Sequence, residues 1–157
     1  MVNPLIFIHA AIAEIGLFAY LWVLVELLNP TETRIRRART ASIIGVACLL
    51  VAWIAGGFYY ITIYGADIKP VIKASDASWV HSIIMETKEH VFLFLPLLAI
   101  LTTSLISRFG RELMNNKEAR TTVTLFSGLI FLLGFAIAGM GAIIAAGYRF
   151  ALEAGIS

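Results

Sequence analysis

Residues 123–146 read VTLFSGLIFLLGFAIAGMGAIIAA, a run without a single charged side chain. Crossing the hydrocarbon core of a bilayer takes roughly 20 apolar residues in a helix, and this stretch is long enough to do so. Working back along the chain, three more segments qualify. The spans are expected at Pro4–Leu28, Ala41–Tyr64, Trp79–Ile106 and Val123–Ala146. The expected fold is therefore all-α, a polytopic membrane protein of one domain (residues 1–157) built as a four-transmembrane-helix bundle.

Composition agrees. Of 157 residues, 60% are hydrophobic and 14% charged, with a mean hydropathy of +0.89. Soluble domains have about 45–50% apolar and about 25% charged residues. Helix ends are marked as well. Asn3-Pro4 suits an N-cap and first turn, Asn29-Pro30 should stop the first helix, Tyr64-Gly65 the second, and Asp76 or Ser78 should cap the third. Residues 1–4 lack the basic region of a signal peptide, so the first segment is expected to be a retained helix.

The segments between the spans are charged unequally. Residues 29–40 hold Arg34, Arg36, Arg37 and Arg39, and residues 107–122 hold Arg108, Arg111, Lys117 and Arg120. In the connection between them along the chain, Lys69 and Lys73 are offset by Asp67 and Asp76. Cytoplasmic loops carry the excess of Lys and Arg. Both arginine-rich segments are thus expected in the cytoplasm, with both termini extracytoplasmic, in a cytoplasmic or equivalent inner membrane. The arginines read as topology signals, with no nucleic-acid partner.

Helices 1 and 3 then run in the same direction and share a pattern. His9-Ala-Ala-Ile-Ala-Glu14 and His81-Ser-Ile-Ile-Met-Glu86 are both HxxxxE. This raises the expectation of two helical hairpins related by a pseudo-twofold axis along the membrane normal.

The chemistry concentrates in His81–His90, HSIIMETKEH, followed at once by VFLFLPLLAILTT. At 1.5 Å per residue, Glu86, Lys88, Glu89 and His90 lie roughly 10–17 Å into helix 3, and Glu14 about 15 Å into helix 1. A charged residue near mid-bilayer costs on the order of 2.5–3.5 kcal/mol on insertion scales, against about −0.5 returned by a leucine. Four such residues cost roughly 10 kcal/mol, which packing does not justify; intramembrane ionisable residues are functional by default. At 100° per residue, Glu86 and His90 share a helix face.

Glu14, Glu86 and Glu89 with Lys88 as charge compensation leave a deficit that a divalent cation would neutralise. Imidazole with carboxylate suits iron, copper or zinc. The leading expectation is a transition-metal site in the outer half of the bilayer, with Glu14, Glu86 and His90 as inner ligands, completed by His9 and Glu89, and with His81 close by. It would serve redox chemistry or electron transfer as a membrane oxidoreductase. The Glu86-x-x-x-His90 pair is one residue longer than the Glu-x-x-His of di-iron bundles and has no second copy. A second expectation is a b-type cytochrome with haem held between helices 1 and 3, by His9 and either His81 or His90. A third is a proton or cation relay, or an accessory subunit of a larger membrane complex. Homo-oligomerisation, a quinone or an extracytoplasmic electron carrier are the expected partners besides lipid.

Some chemistry is excluded. A lone Cys48 permits no internal disulfide and no cysteine-rich metal site. There is no CxxCH, phosphate-binding glycine loop, nucleophile elbow or dinucleotide fingerprint. Tyr59, Tyr60, Tyr64 and Trp79 read as an outer aromatic belt. Glu26 reads as interfacial. The glycines of helices 2 and 4 suit either close packing or space beside a cofactor.

Overall fold

The computed structural model describes residues 3–155. Four helices are long and apolar enough to cross a membrane: α1 (Pro4–Leu28), α2 (Glu32–Ala74), α3 (Val80–Met114) and α4 (Lys117–Glu153). No strand occurs among the described residues. The connections, residues 29–31, 75–79 and 115–116, are short, which makes successive helices antiparallel neighbours. α1 packs along α2 and α4, and α3 packs along the same two, so α1 and α3 face each other across the diagonal of an up-down-up-down bundle.

Local chemistry accounts for the helix starts. Asn3 Oδ1 accepts from the Leu5 amide at 2.9 Å with Pro4 in the first turn, as expected. Thr31 Oγ1 accepts from the Arg34 amide at 3.3 Å, and Asn116 Oδ1 from that of Ala119 at 3.0 Å. The Thr31 cap corrects an expectation: α2 starts at Glu32, nine residues before the apolar run, so Arg34 to Arg39 ride on helix and not on a loop. Nor does Tyr64-Gly65 end α2. The chain widens into a π-helix over Tyr60–Ile68 and returns to α over Lys69–Ala74. α3 also opens with a π-helical stretch, Val80–Met85, preceded by Trp79 rather than by a side-chain cap from Asp76 or Ser78.

The two arginine-rich segments meet at one end of the bundle, where Arg111 donates to Glu32 at 2.6 Å. Glu26 is only 5% exposed there and is tied to Arg34 at 2.7 Å, Arg37 at 3.8 Å and the Trp22 indole at 2.9 Å. It is a buried ion-pair anchor between α1 and α2, more than an interfacial group. The main core, including Leu17, Tyr20, Leu49, Leu95, Ala99 and Ile130, runs up the middle. A second core, including Tyr64, Ile72, Val80, Met85 and Ile144, closes the opposite end. Phe7, Ile54, Ile61, Leu97, Leu132 and Phe135 face outward, as a helix surface in lipid requires.

Candidate functional site

The polar residues of the spans form two clusters, and residues 88 and 89 belong one to each. The first lies where the π-helical stretches of α2 and α3 face each other. His81 is 3% exposed there, the most deeply buried of the three histidines. Its Nδ1 is 3.1 Å from the Tyr64 hydroxyl, and its Nε2 is 3.6 Å from Glu86 Oε1. Glu86 reaches back to His81 because helical side chains lean toward the N-terminus. Tyr60 stacks on Tyr64 with ring centroids 5.3 Å apart. Glu89 turns toward α2 beside the Tyr60 phenol, with its Oε1 buried.

The second cluster lines a cavity of about 200 Å³ in the bundle interior. His9, Glu14, Lys88 and Phe92 are among its walls, with Leu17, Leu95, Gly134 and Ile137 making the rest largely apolar. His9 Nδ1 lies 2.7 Å from the Ala52 carbonyl. A carbonyl only accepts, so Nδ1 carries the proton and Nε2 is the free lone pair of the neutral ring. Gly56 makes this possible: a Cβ there would stand 2.6 Å from His9 Nδ1. Lys88 forms no ion pair within 4.0 Å among the described residues, so the carboxylates expected to balance it are not in contact with it. Glu14 is exposed at the rim, on the outer surface of α1.

His90 belongs to neither cluster. It is exposed, and its Nδ1 bonds to the Glu86 carbonyl of its own helix at 2.6 Å. The five residues expected to share one metal, Glu14, Glu86, His90, His9 and Glu89, are thus dispersed. Among the described residues no three His, Cys, Asp or Glu side chains come together in a geometry that could hold a metal ion. Of the histidines expected as haem ligands, His9 lines the cavity, whereas His81 and His90 do not. The two HxxxxE motifs also differ: His81 approaches its glutamate, while His9 binds the α2 backbone instead.

Sequence reasoning missed Tyr64, which is buried in the second core rather than set in an outer belt. Its i, i+4 spacing from Tyr60 was the available signal. Several glycines prove to be sockets for particular side chains: Gly45 for Tyr20, Gly56 for His9, and Gly147 for Val80. Gly134 and Gly141 line the cavity. No protein family, curated protein or solved structure matches this chain.

Proposed function

We propose that the protein is a membrane-embedded proton relay, passing protons between the water at the π-helical end of the bundle and the intramembrane cavity. One observation carries this reading: a deeply buried imidazole stands between a phenol at 3.1 Å and a carboxylate at 3.6 Å. Imidazole takes a proton at one nitrogen and releases one from the other, which makes histidine a shuttle. The 3.6 Å step is slightly beyond a direct hydrogen bond, and one water or a small torsion of the Glu86 side chain closes it. Glu89, beside the Tyr60 phenol, and Lys88, adjacent to it in the chain and lining the cavity, would carry the path from this cluster toward the cavity. By the positive-inside rule the arginine end would face the cytoplasm, and the relay would then open to the extracytoplasmic side.

The test is proton flux into vesicles holding the purified protein and a trapped pH dye, driven by a potassium diffusion potential. Flux should exceed that of empty vesicles. It should fall about tenfold or more in Glu86→Gln and His81→Phe and persist in His90→Ala, whose side chain lies outside the relay. Wild-type flux no faster than that of empty vesicles overturns the proposal, as does unchanged flux in both relay variants.

A transition-metal site is a second reading, favoured by the carbonyl bonds that pin His9 and His90 through Nδ1 and leave both Nε2 atoms bare. Metal-binding histidines are oriented in this way. Glu14 and His90 both face outward, so the ligand set would be completed by a second copy or another membrane subunit. Elemental analysis with oxidised and reduced visible spectra checks it: iron, copper or zinc bound in proportion to chain supports the site, and a Soret band points to haem b instead.

A further inference from the structure

The cavity that holds His9 and Lys88 has a side entrance. Ala10 and Glu14 of α1, and Ala138 and Ala142 of α4, all line it and are all exposed on the outside of the bundle. Deeper in, Leu17, Leu49, Leu95, Gly134 and Ile137 are buried. Three alanines and one carboxylate therefore frame a mouth that faces lipid, and apolar residues line the interior. A ligand using this route is lipophilic.

Its head is constrained by the polar groups. Lys88 offers a cation with only donors, and no carboxylate within 4.0 Å competes for it among the described residues. The Ala52 carbonyl holds the His9 Nδ1 proton, so the neutral ring offers Nε2 as an acceptor. The site thus wants one oxygen that accepts and one O–H that donates. The volume sets the frame that carries them. A dry apolar cavity of about 150 Å³ takes up benzene, so about 200 Å³ holds a single substituted six-membered ring. Phe92, which meets His9 edge-on at 6.1 Å, gives such a ring an aromatic wall.

We infer that this cavity binds the head group of a lipid-soluble quinol, one hydroxyl donating to His9 Nε2 and an oxygen accepting from the Lys88 ammonium, with the tail leaving between α1 and α4 into the bilayer. Glu14 at the mouth disfavours anionic amphiphiles and tolerates a neutral quinol. The quinol is preferred over its quinone, because the quinone has no O–H for Nε2. The inference gives the relay's cavity its occupant and rests on that reading for its purpose, but binding itself uses different side chains.

The experiment is calorimetric titration of the full chain in detergent with decyl-ubiquinol under anaerobic conditions, then with decyl-ubiquinone and with decanoate. Saturable binding of the quinol, several-fold weaker binding of the quinone and no competition by decanoate are expected. Hydrogen bonds to charged groups are worth about 1.5–3 kcal/mol, so Lys88→Met should weaken binding at least about tenfold, and His9→Phe should weaken the quinol more than the quinone. Ala138→Phe blocks the mouth while leaving both polar groups in place; it should abolish binding with helical content unchanged, which separates loss of the site from loss of the fold. Absence of quinol binding to the wild-type chain, or unaltered binding in Lys88→Met and Ala138→Phe, overturns the inference. Equal or tighter binding of decanoate overturns it in favour of an acyl-anion site. Glu86→Gln should bind the probe as the wild type does, so a failed relay with intact binding, and the reverse, are told apart.

Discussion

A methyl group is all that separates the His9 socket from a clash. A Cβ at residue 56 would stand 2.6 Å from His9 Nδ1 and 2.7 Å from its Cε1. Gly56→Ala must therefore push the imidazole away from the Ala52 carbonyl. Overpacking of this kind costs about 1–3 kcal/mol. Thermal denaturation in detergent should show the loss, and nitrogen NMR of the ring should show that Nδ1 no longer holds its proton in a fixed bond. An unshifted melting temperature with an unchanged Nδ1 signal would refute the socket. At this scale the identity of the ionisable residues was legible and their grouping was not. Insertion cost singled out Glu14, Glu86, Lys88, Glu89 and the histidines. Grouping them assumed a uniform 100° per residue, and the π-helical stretch Val80–Met85 departs from that angle immediately before Glu86. The wider turn brings His81 round to Glu86, which a uniform angle does not anticipate, whereas His90 follows Glu86 in regular α-helix and is exposed.

Two facing π-helical stretches are the unusual elements of this bundle. π-bulges inside helices are rare and frequent at functional sites, and here one supplies Tyr60 and Tyr64 and the other His81. Deleting exposed Thr62 removes a residue from the first stretch and turns the remainder of the helix by about 100° relative to its start. Tyr64 then leaves His81. Proton flux should drop while circular dichroism still reports a helical protein; retained flux would detach the tyrosine from the relay. Such stretches carry no hydropathy signature, so the sequence showed a continuous apolar span and an end at Gly65. The four spans were legible because each is a long apolar run. Their true ends were not, because hydropathy detects only the part that lipid would cover. Capping decides where the helix begins: Thr31 starts α2 outside the apolar run, and the i, i+4 pair of Glu32 with Arg36 sits on that polar first part.

For the molecule as a whole, the pairing of Arg111 with Glu32 brings both arginine-rich segments to one end. This is what a shared side of the membrane requires. Sidedness has a direct test. With Cys48 replaced by alanine, the only cysteine would be one introduced at Thr33 or at Ala154. A membrane-impermeant maleimide added to intact cells should label Ala154→Cys and leave Thr33→Cys unlabelled until the membrane is opened. The reverse pattern would invert the relay. Tyr20 crosses the centre of the same molecule, its hydroxyl donating to the Ala99 carbonyl at 2.8 Å and meeting Thr103 Oγ1 at 2.9 Å, so α1 is tied to α3 below the cavity.

The lateral mouth framed by Ala10, Ala138 and Ala142 fixes the currency in which occupancy is measured. A molecule entering there arrives by two-dimensional diffusion, and the concentration that governs it is its mole fraction in the lipid. Titrations at different lipid-to-protein ratios should disagree when plotted against total ligand and fall on one curve when plotted against that mole fraction. The rate of entry should follow the fluidity of the acyl chains, slowing as they gel while the surrounding water hardly changes.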